Sequence, residues 1–333
     1  MDIGLVMGPR NHPAHPYPLA DVYQDYIDDV VRAERLGFDN AWVGEHRMTT
    51  DQWTPSPLTV LANMAARTSE IRLGTSVMCL PFHNPLRLAE DVVAVDILSR
   101  GRFNFGFGVG SQFEEFRTFE INSKERLGRT YESAAFIQKA LGTDEEFDWE
   151  GKYYTFPKVR FTTRPVQEEI PFYASAMGPQ SVGIAASRGY NLIAEAKDSW
   201  VEGLQNAGFD PATKKAQTLL PIVVANTTEE AWDVGLEGLL FHLNFYTLRK
   251  RLDGSTPDPA EATLTKQDII DGRMAAVGTP DEVLEWISEF YAGLSPNQTG
   301  VAFQMRSAGM TTPAVTTSME LFAEHVVPEL RKL

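Results

Sequence analysis

The chain of 333 residues has one cysteine, Cys79. A single thiol can form neither an internal disulfide nor a multi-cysteine metal site, and that scarcity fits a reducing compartment. Positive charge is also short: 30 lysines and arginines face 45 aspartates and glutamates, for a net charge of -15 at pH 7. No cluster of Lys and Arg offers a footprint for phosphate backbones or anionic lipid, which argues against nucleic acid and membrane surfaces as partners. No run reaches the roughly 18 apolar residues of a membrane span, and no basic-then-apolar leader follows the first methionine. The expected location is cytoplasmic. A dinucleotide fingerprint is lacking too. In RGRFNFGFGVGSQFEEF (100–116) the glycines Gly106, Gly108 and Gly110 are spaced G-x-G-x-G rather than G-x-G-x-x-G. The stretch is the fourth strand candidate, not the first, and SQFEEF opens no helix by pattern.

What is present is an alternation of β-rich runs with helical periodicity. Strand candidates cover 3–8, 40–45, 71–78, 102–108, 170–176, 191–196, 219–226 and 300–305. Leu19, Val22, Tyr23, Tyr26, Ile27, Val30 and Ala33 recur at helical spacing up to Gly37, and helical patterns follow at 56–68 and 85–98. Pro179 suits the first turn of a helix, another begins at Thr228, and a last one from Thr312 aligns Val315, Met319, Phe322, Val326 and Leu330. Eight strands with crossover helices and no second compositional regime predict an α/β fold, a (β/α)₈ TIM barrel forming a single domain over 1–333. Two segments break the rhythm: 142–166, with a hairpin expected at EGKYY, and 248–276. Both are expected as insertions at the carboxyl face of the strands, where substrate-covering loops belong.

In such a barrel, residues at strand exits face the active site. The second strand exits into Glu45, His46 and Arg47. A histidine there can move a proton near neutral pH with an adjacent carboxylate fixing its tautomer, although a packed, hydrogen-bonded histidine is an equally ordinary reading. The third strand runs into His83, Asn84 and Arg87. Neither His46 with His83 nor the HPAH run from His12 has a recognised ligand spacing, so no metal is expected. On strand four Phe103, Phe105 and Phe107 share one face, and Gly106, Gly108 and Gly110 the other. Glycines there would let a flat group approach the backbone, or would serve a tight bend at the rim. SAMGPQS (175–181) joins a strand to a helix start, whose free N–H groups attract phosphate. A flat ring and a phosphate so placed would suit flavin mononucleotide. Trp53, Phe82 and Phe113 are candidate lining of a mostly apolar pocket.

GFDNAWVGEHRM, LPFHNPLRLAEDVVAVDILSRGRFNFGFGVG, AASRGY and VGTPDEVLEWI resemble the matching stretches of the bacterial luciferase-like flavin-dependent monooxygenases, over nearly the whole chain. The resemblance implies a (β/α)₈ barrel that binds reduced FMN, supplied by a separate flavin reductase, and activates O2 on it. It implies catalysis by His46, which falls where the luciferase alpha chain has its catalytic histidine. It also implies a cis peptide at Ser76-Val77 against the flavin ring. Gly108 stands where that chain has a reactive cysteine and Val109 where it has a phosphate-binding arginine, so one phosphate contact is missing and Arg126, or Arg129, is the candidate to replace it. Met177 replaces an acidic position, whereas Gly178 and Ser181 keep the small and hydroxyl-bearing types. The expected activity is oxygenation of a small organic substrate such as an aldehyde, ketone or sulfonate, by a homodimer. The alternatives are an oxidoreductase of the same superfamily using the deazaflavin coenzyme, and a non-catalytic flavin-binding partner subunit, against which His46 argues.

Overall fold

The computed structural model of the chain describes residues 1–249, 252–258 and 263–332. Its first half alternates β1 (Asp2–Met7), α1 (Leu19–Arg35), β2 (Asn40–Val43), α2 (Pro57–Arg67), β3 (Arg72–Thr75), β4 (Met78–Cys79), α3 (Pro85–Leu98), β5 (Phe103–Gly108), α4 (Phe113–Thr118) and α5 (Arg126–Gly142). A hairpin, β6 (Phe147–Glu150) and β7 (Thr155–Val159), precedes β8 (Phe172–Ala174), α6 (Pro179–Ser187), β9 (Asn191–Ile193), α7 (Asp198–Asn206) and β10 (Ala216–Val224). The chain ends with α8 (Thr228–Thr247), α9 (Lys266–Asp271), β11 (Ala276–Gly278), α10 (Pro280–Ala292), β12 (Gly300–Gln304), α11 (Thr312–Leu321) and α12 (Val327–Leu330).

Strands β1, β2, β3, β5, β8, β9, β10 and β12 pair in parallel in that order, and β12 returns to β1, closing an eight-stranded barrel. These are the eight strands read from the sequence. Three details differ. The third strand is interrupted at Ser76-Val77 and resumes as β4, which pairs with Phe107 and Gly108 of β5. Residues of SQFEEF do open a helix, α4, whose acidic first turn (Glu114, Glu115) complements the helix dipole; six residues are too few to show a period. The expected insertion at 248–276 holds α9 and ends where β11 begins, at Ala276, a strand that extends the sheet beside Ile222–Val224 of β10; residues 250, 251 and 259–262 of that segment lie outside the described residues. The hairpin forms as expected and lies along α5, its turn contacting Glu132.

Between sheet and helices the periodic residues pack as their spacing dictates. Val22, Tyr26, Ile27, Val30 and Ala33 of α1 are buried, as are Val315, Met319, Phe322, Val326 and Leu330, although this last stretch passes through a π turn at Phe322–Val326. Phe107 of β5 meets Tyr131 of α5, and Phe105 and Phe107 both meet Phe172, so this face of β5 points outward. The barrel interior is filled by Trp42, 1% exposed, packed with Val6, Tyr173, Ile193 and Ala302. Its indole N–H donates to the Asn40 side chain, which also accepts from Gln217 at 3.1 Å. A Cβ on Gly74 would lie 2.4 Å from the Trp42 ring, so only glycine fits opposite the indole. No helix among the described residues is long and apolar enough to cross a membrane.

Because Trp42 plugs the barrel, Trp42→Ala is expected to lower the unfolding free energy by about 3–5 kcal/mol in chemical denaturation, the usual cost of emptying a buried aromatic site. A loss below about 1 kcal/mol would mean that the interior collapses to fill the space.

Candidate active site

The exits of β1 and β2 and one face of α8 converge at the carboxyl end of the barrel. Arg10, two residues past Gly8, is 5% exposed. Its Nε donates to Asp51 at 2.5 Å, Nη1 donates to His242 Nδ1 of α8 at 2.6 Å, and the guanidinium lies 4.0 Å from the Trp53 ring. Its Nη2 is buried without a partner. Burial and the Arg10 charge together hold His242 well below the usual imidazole range, so His242 is a neutral acceptor.

His46 stands beside this group. Its ring lies 4.4 Å from Trp53, 5.4 Å from Phe245 and 6.2 Å from Tyr246, in edge-on contacts. Burial, and after it the Arg10 cation, push its pKa down to about 4 against the opposing pull of Glu45 and Asp51. The imidazole is therefore neutral at pH 7. The Gln112 amide nitrogen, 3.4 Å from Nδ1, is a donor that favours the tautomer with the proton on Nε2.

Glu45 does not orient His46, contrary to the sequence expectation. Its Oε1 accepts from Arg47 and from His83 Nε2 (2.7 Å), and its Oε2 from the Cys79 N–H (2.5 Å). Both residues lie past the end of β2, and the Glu45 side chain turns toward the turn after β4, where Cys79 and His83 supply its donors. Burial raises the Glu45 pKa, but His83, Arg47 and the Cys79 N–H outweigh it and hold the group below the usual carboxylate range. Glu115 of α4 accepts from the Arg47 N–H at 3.2 Å, and burial, opposed by Arg47, lifts it to about 7. Two other candidates are structural: Asn84 caps α3, and Arg87 pairs with Glu90 and Asp91 on that helix's surface. Phe82 packs with Cys79 and Phe116 in a separate cluster, joined by Leu252 from the long insertion.

The Ser76-Val77 peptide is cis. Val77 rests on the Trp42 layer, while the Ser76 hydroxyl is buried without a partner. Gly44, two residues before His46, lies against the Ser76 carbonyl, where a Cβ would come within 3.0 Å, so His46 and this bulge share one mouth. The β5 glycines give room to the same bulge: a Cβ on Gly106 would overlap the Thr75 carbonyl, and one on Gly108 would lie 2.7 Å from Val77. Val109 follows at the rim, half-buried. Leu219 of β10 shares the inner face with Gln217 yet is 44% exposed, an apolar side chain bare at the barrel mouth.

At the other side, Gly178 occupies the N-cap position of α6 with no side-chain cap, a Cβ there would meet nothing closer than Ser181 Oγ at 3.8 Å, and Met177 is 77% exposed. Ser181 Oγ donates to the Gly178 carbonyl at 2.9 Å, and Tyr131 of α5 donates to the Ser181 carbonyl. Arg126 opens α5 with Nη1 on the Ser123 carbonyl, and no described contact joins it to Ser181. Arg129 is taken by Glu125 at 2.9 Å and by the Tyr153 ring. Lys197, which the sequence reading passed over, has its ammonium 3.5 Å from the Met177 carbonyl. An uncapped helix start with an open glycine, an orphaned hydroxyl beside the bulge and a bare leucine at the mouth fit a flat heteroaromatic ring carrying a phosphate tail. Arg10, Asp51, His242 and Tyr246 were missed as well, because nothing in their local spacing marks them; only the exit position of Arg10 after the first strand was a usable signal.

The luciferase-like monooxygenase family profile matches residues 1–298. Limonene 1,2-monooxygenase of Rhodococcus erythropolis is 28% identical over 98% of this chain and 86% of its own. The F420-dependent glucose-6-phosphate dehydrogenase of Intrasporangium calvum is 26% identical over 80% of this chain and 85% of its own. The crystal structure of monooxygenase RslO1 from Streptomyces bottropensis superposes with a TM-score of 0.85 at 26% identity, covering 99% of this chain and 100% of that one. With nine-tenths of its length matched and its barrel shared, this chain belongs to the luciferase-like monooxygenase family.

Proposed function

We propose that the protein is the oxygenase of a two-component system that takes reduced FMN from a separate reductase and uses O2 to oxygenate a small, largely apolar organic molecule. The observation that carries this reading is the neutral His46 imidazole, walled by Trp53, Phe245 and Tyr246 at the same mouth as the Ser76-Val77 bulge. Ser76, Val77, Gly108 and Val109 would face the ring, and Met177, Gly178, Ser181 and Arg126 would hold the phosphate. Bound there, FMN would supply the electrons and the site of oxygen activation. The aromatic wall excludes water, and Arg10 opposes protonation of His46, so the neutral ring presents a donor at Nε2 and its basic lone pair at Nδ1, which takes a proton when the Gln112 amide yields its place. In the G-x-G-x-G run Gly106 and Gly108 are filled by the chain's own bulge and Gly110 by the Phe82 and Phe116 rings, so it offers no loop for a nicotinamide dinucleotide, which is why reducing power is assigned to a partner. The likeness to an F420-dependent dehydrogenase favours a second reading, hydride transfer with the deazaflavin coenzyme.

Anaerobic titration separates the two: reduced FMN is expected to bind and F420 not to, whereas binding of F420 alone would replace the oxygenase reading. His46→Asn should retain flavin binding and lower turnover by about 100-fold; undiminished turnover would remove His46 from the proton transfer. Because His46 is depressed to about 4 and acts as the neutral form, kcat/KM should be independent of this group from pH 8 to 6 and fall as pH drops through about 4. A fall centred on the ordinary imidazole range would mean that the site is wetter than described. Arg126→Ala should weaken binding of FMN far more than of riboflavin, which lacks the phosphate; equal losses would move the phosphate elsewhere.

A further inference from the structure

We propose that His12, His15 and Glu237 form a binding site for a divalent first-row metal ion of the zinc class, on the flank of the barrel mouth, next to Arg10 and with none of its ligands among the rings that wall His46. His12 and His15 lie in the segment after β1, and Glu237 lies on α8. One ligand atom from each falls within 4.8 Å of the others, a spread that small side-chain rotations close to the roughly 2.0–2.2 Å ligand distances of imidazole and carboxylate on zinc. His15 Nε2 is already 2.9 Å from Glu237 Oε1. The His12 and His15 rings stack at 5.3 Å. His12 is held from the other side by the Phe241 ring at 4.5 Å, one helical turn after Glu237, so α8 supplies both a ligand and the surface that fixes another. His12 is the buried anchor, while His15 and Glu237 are exposed and free to adjust.

Two imidazoles and one carboxylate are the donor set that zinc-class ions prefer over calcium or magnesium. Binding through His12 Nε2 would move its proton to Nδ1 and give up the long contact, 3.3 Å, from the Ala14 N–H. Three protein ligands leave a coordination position open. His12 and His15 together line a cavity of about 340 Å³ between α1, the segment after β1 and the segment after β12, so water or a small anion there can complete the shell. An ion bound at this place ties the segment after β1 to α8. That helix also carries His242, Phe245 and Tyr246, so metal occupancy stiffens one wall of the candidate active site without touching it.

The test is equilibrium dialysis of the full chain, stripped with chelator, against Zn2+, with bound metal counted by mass spectrometry. The wild type is expected to take up one zinc per chain, and His15→Ala and Glu237→Gln each to weaken it by about 10-fold or more. Both altered residues are exposed, so folding should be untouched, whereas His12→Ala needs its fold checked by circular dichroism first. Zinc should also slow amide exchange along α8 in the wild type and not in Glu237→Gln. Absence of stoichiometric zinc in the wild type, or equal affinity in all three proteins, would overturn the site.

Discussion

At the mouth of the barrel a charge is buried, and what satisfies it builds the site. The Arg10 guanidinium, an isolated cation in so dry a place, would be costly without partners. Asp51 supplies the counter-charge, Trp53 a ring face, and His242 an acceptor. These partners come from the loop after β2 and from α8, so meeting the needs of one side chain brings three parts of the chain together. The same cation then acts on its neighbours. After burial it is the strongest influence lowering both His46 and His242, which keeps two imidazoles neutral in one aromatic enclosure. The proton chemistry proposed for His46 follows from that field more than from any group bonded to His46 itself.

A second constraint governs the floor of the site. Trp42 fills the barrel and leaves space for nothing larger than glycine at Gly74. Above it, Val77 rests on the Trp42 layer and the chain bulges at Ser76-Val77, which requires Gly106 and Gly108 on β5. The glycines that open a flat face on strand four thus do so indirectly. They admit the protein's own bulge, Gly106 the Thr75 carbonyl and Gly108 the Val77 side chain, and that bulge would present the surface on which a ring lies.

Opposite the floor, carboxylates divide by environment. Glu45 is held ionised by three donors, whereas Glu115, a few ångströms from the same Arg47, is driven by burial to about 7. One arginine cannot compensate two buried carboxylates equally, and the one with fewer donors gives way. This cluster braces α4 and the turn after β4 behind the site, and Leu252 of the long insertion closes over its apolar side.

The sequence by itself determined the barrel, because period-two and period-3.6 patterns are local and the eight strands carry theirs, as do α1, α2, α3 and the last helix, while α5 and α10 were not read from it. The residues after the second strand, the helix start at Pro179 and the inward row of the last helix were legible for the same reason. Short elements escaped: β11 and α4 are shorter than the window in which a period can be seen. Partnerships escaped as well. Sequence proximity suggested Glu45 for His46, yet Cys79, His83 and Arg47 claim both Glu45 oxygens; the spacing of His12 and His15 pointed to nothing until α8 brought Glu237 to them across 222 positions. Arg10, Asp51 and His242 meet only because a parallel barrel returns every strand exit to one face, where electrostatics and burial act through space, and no local pattern encodes a distance across that face.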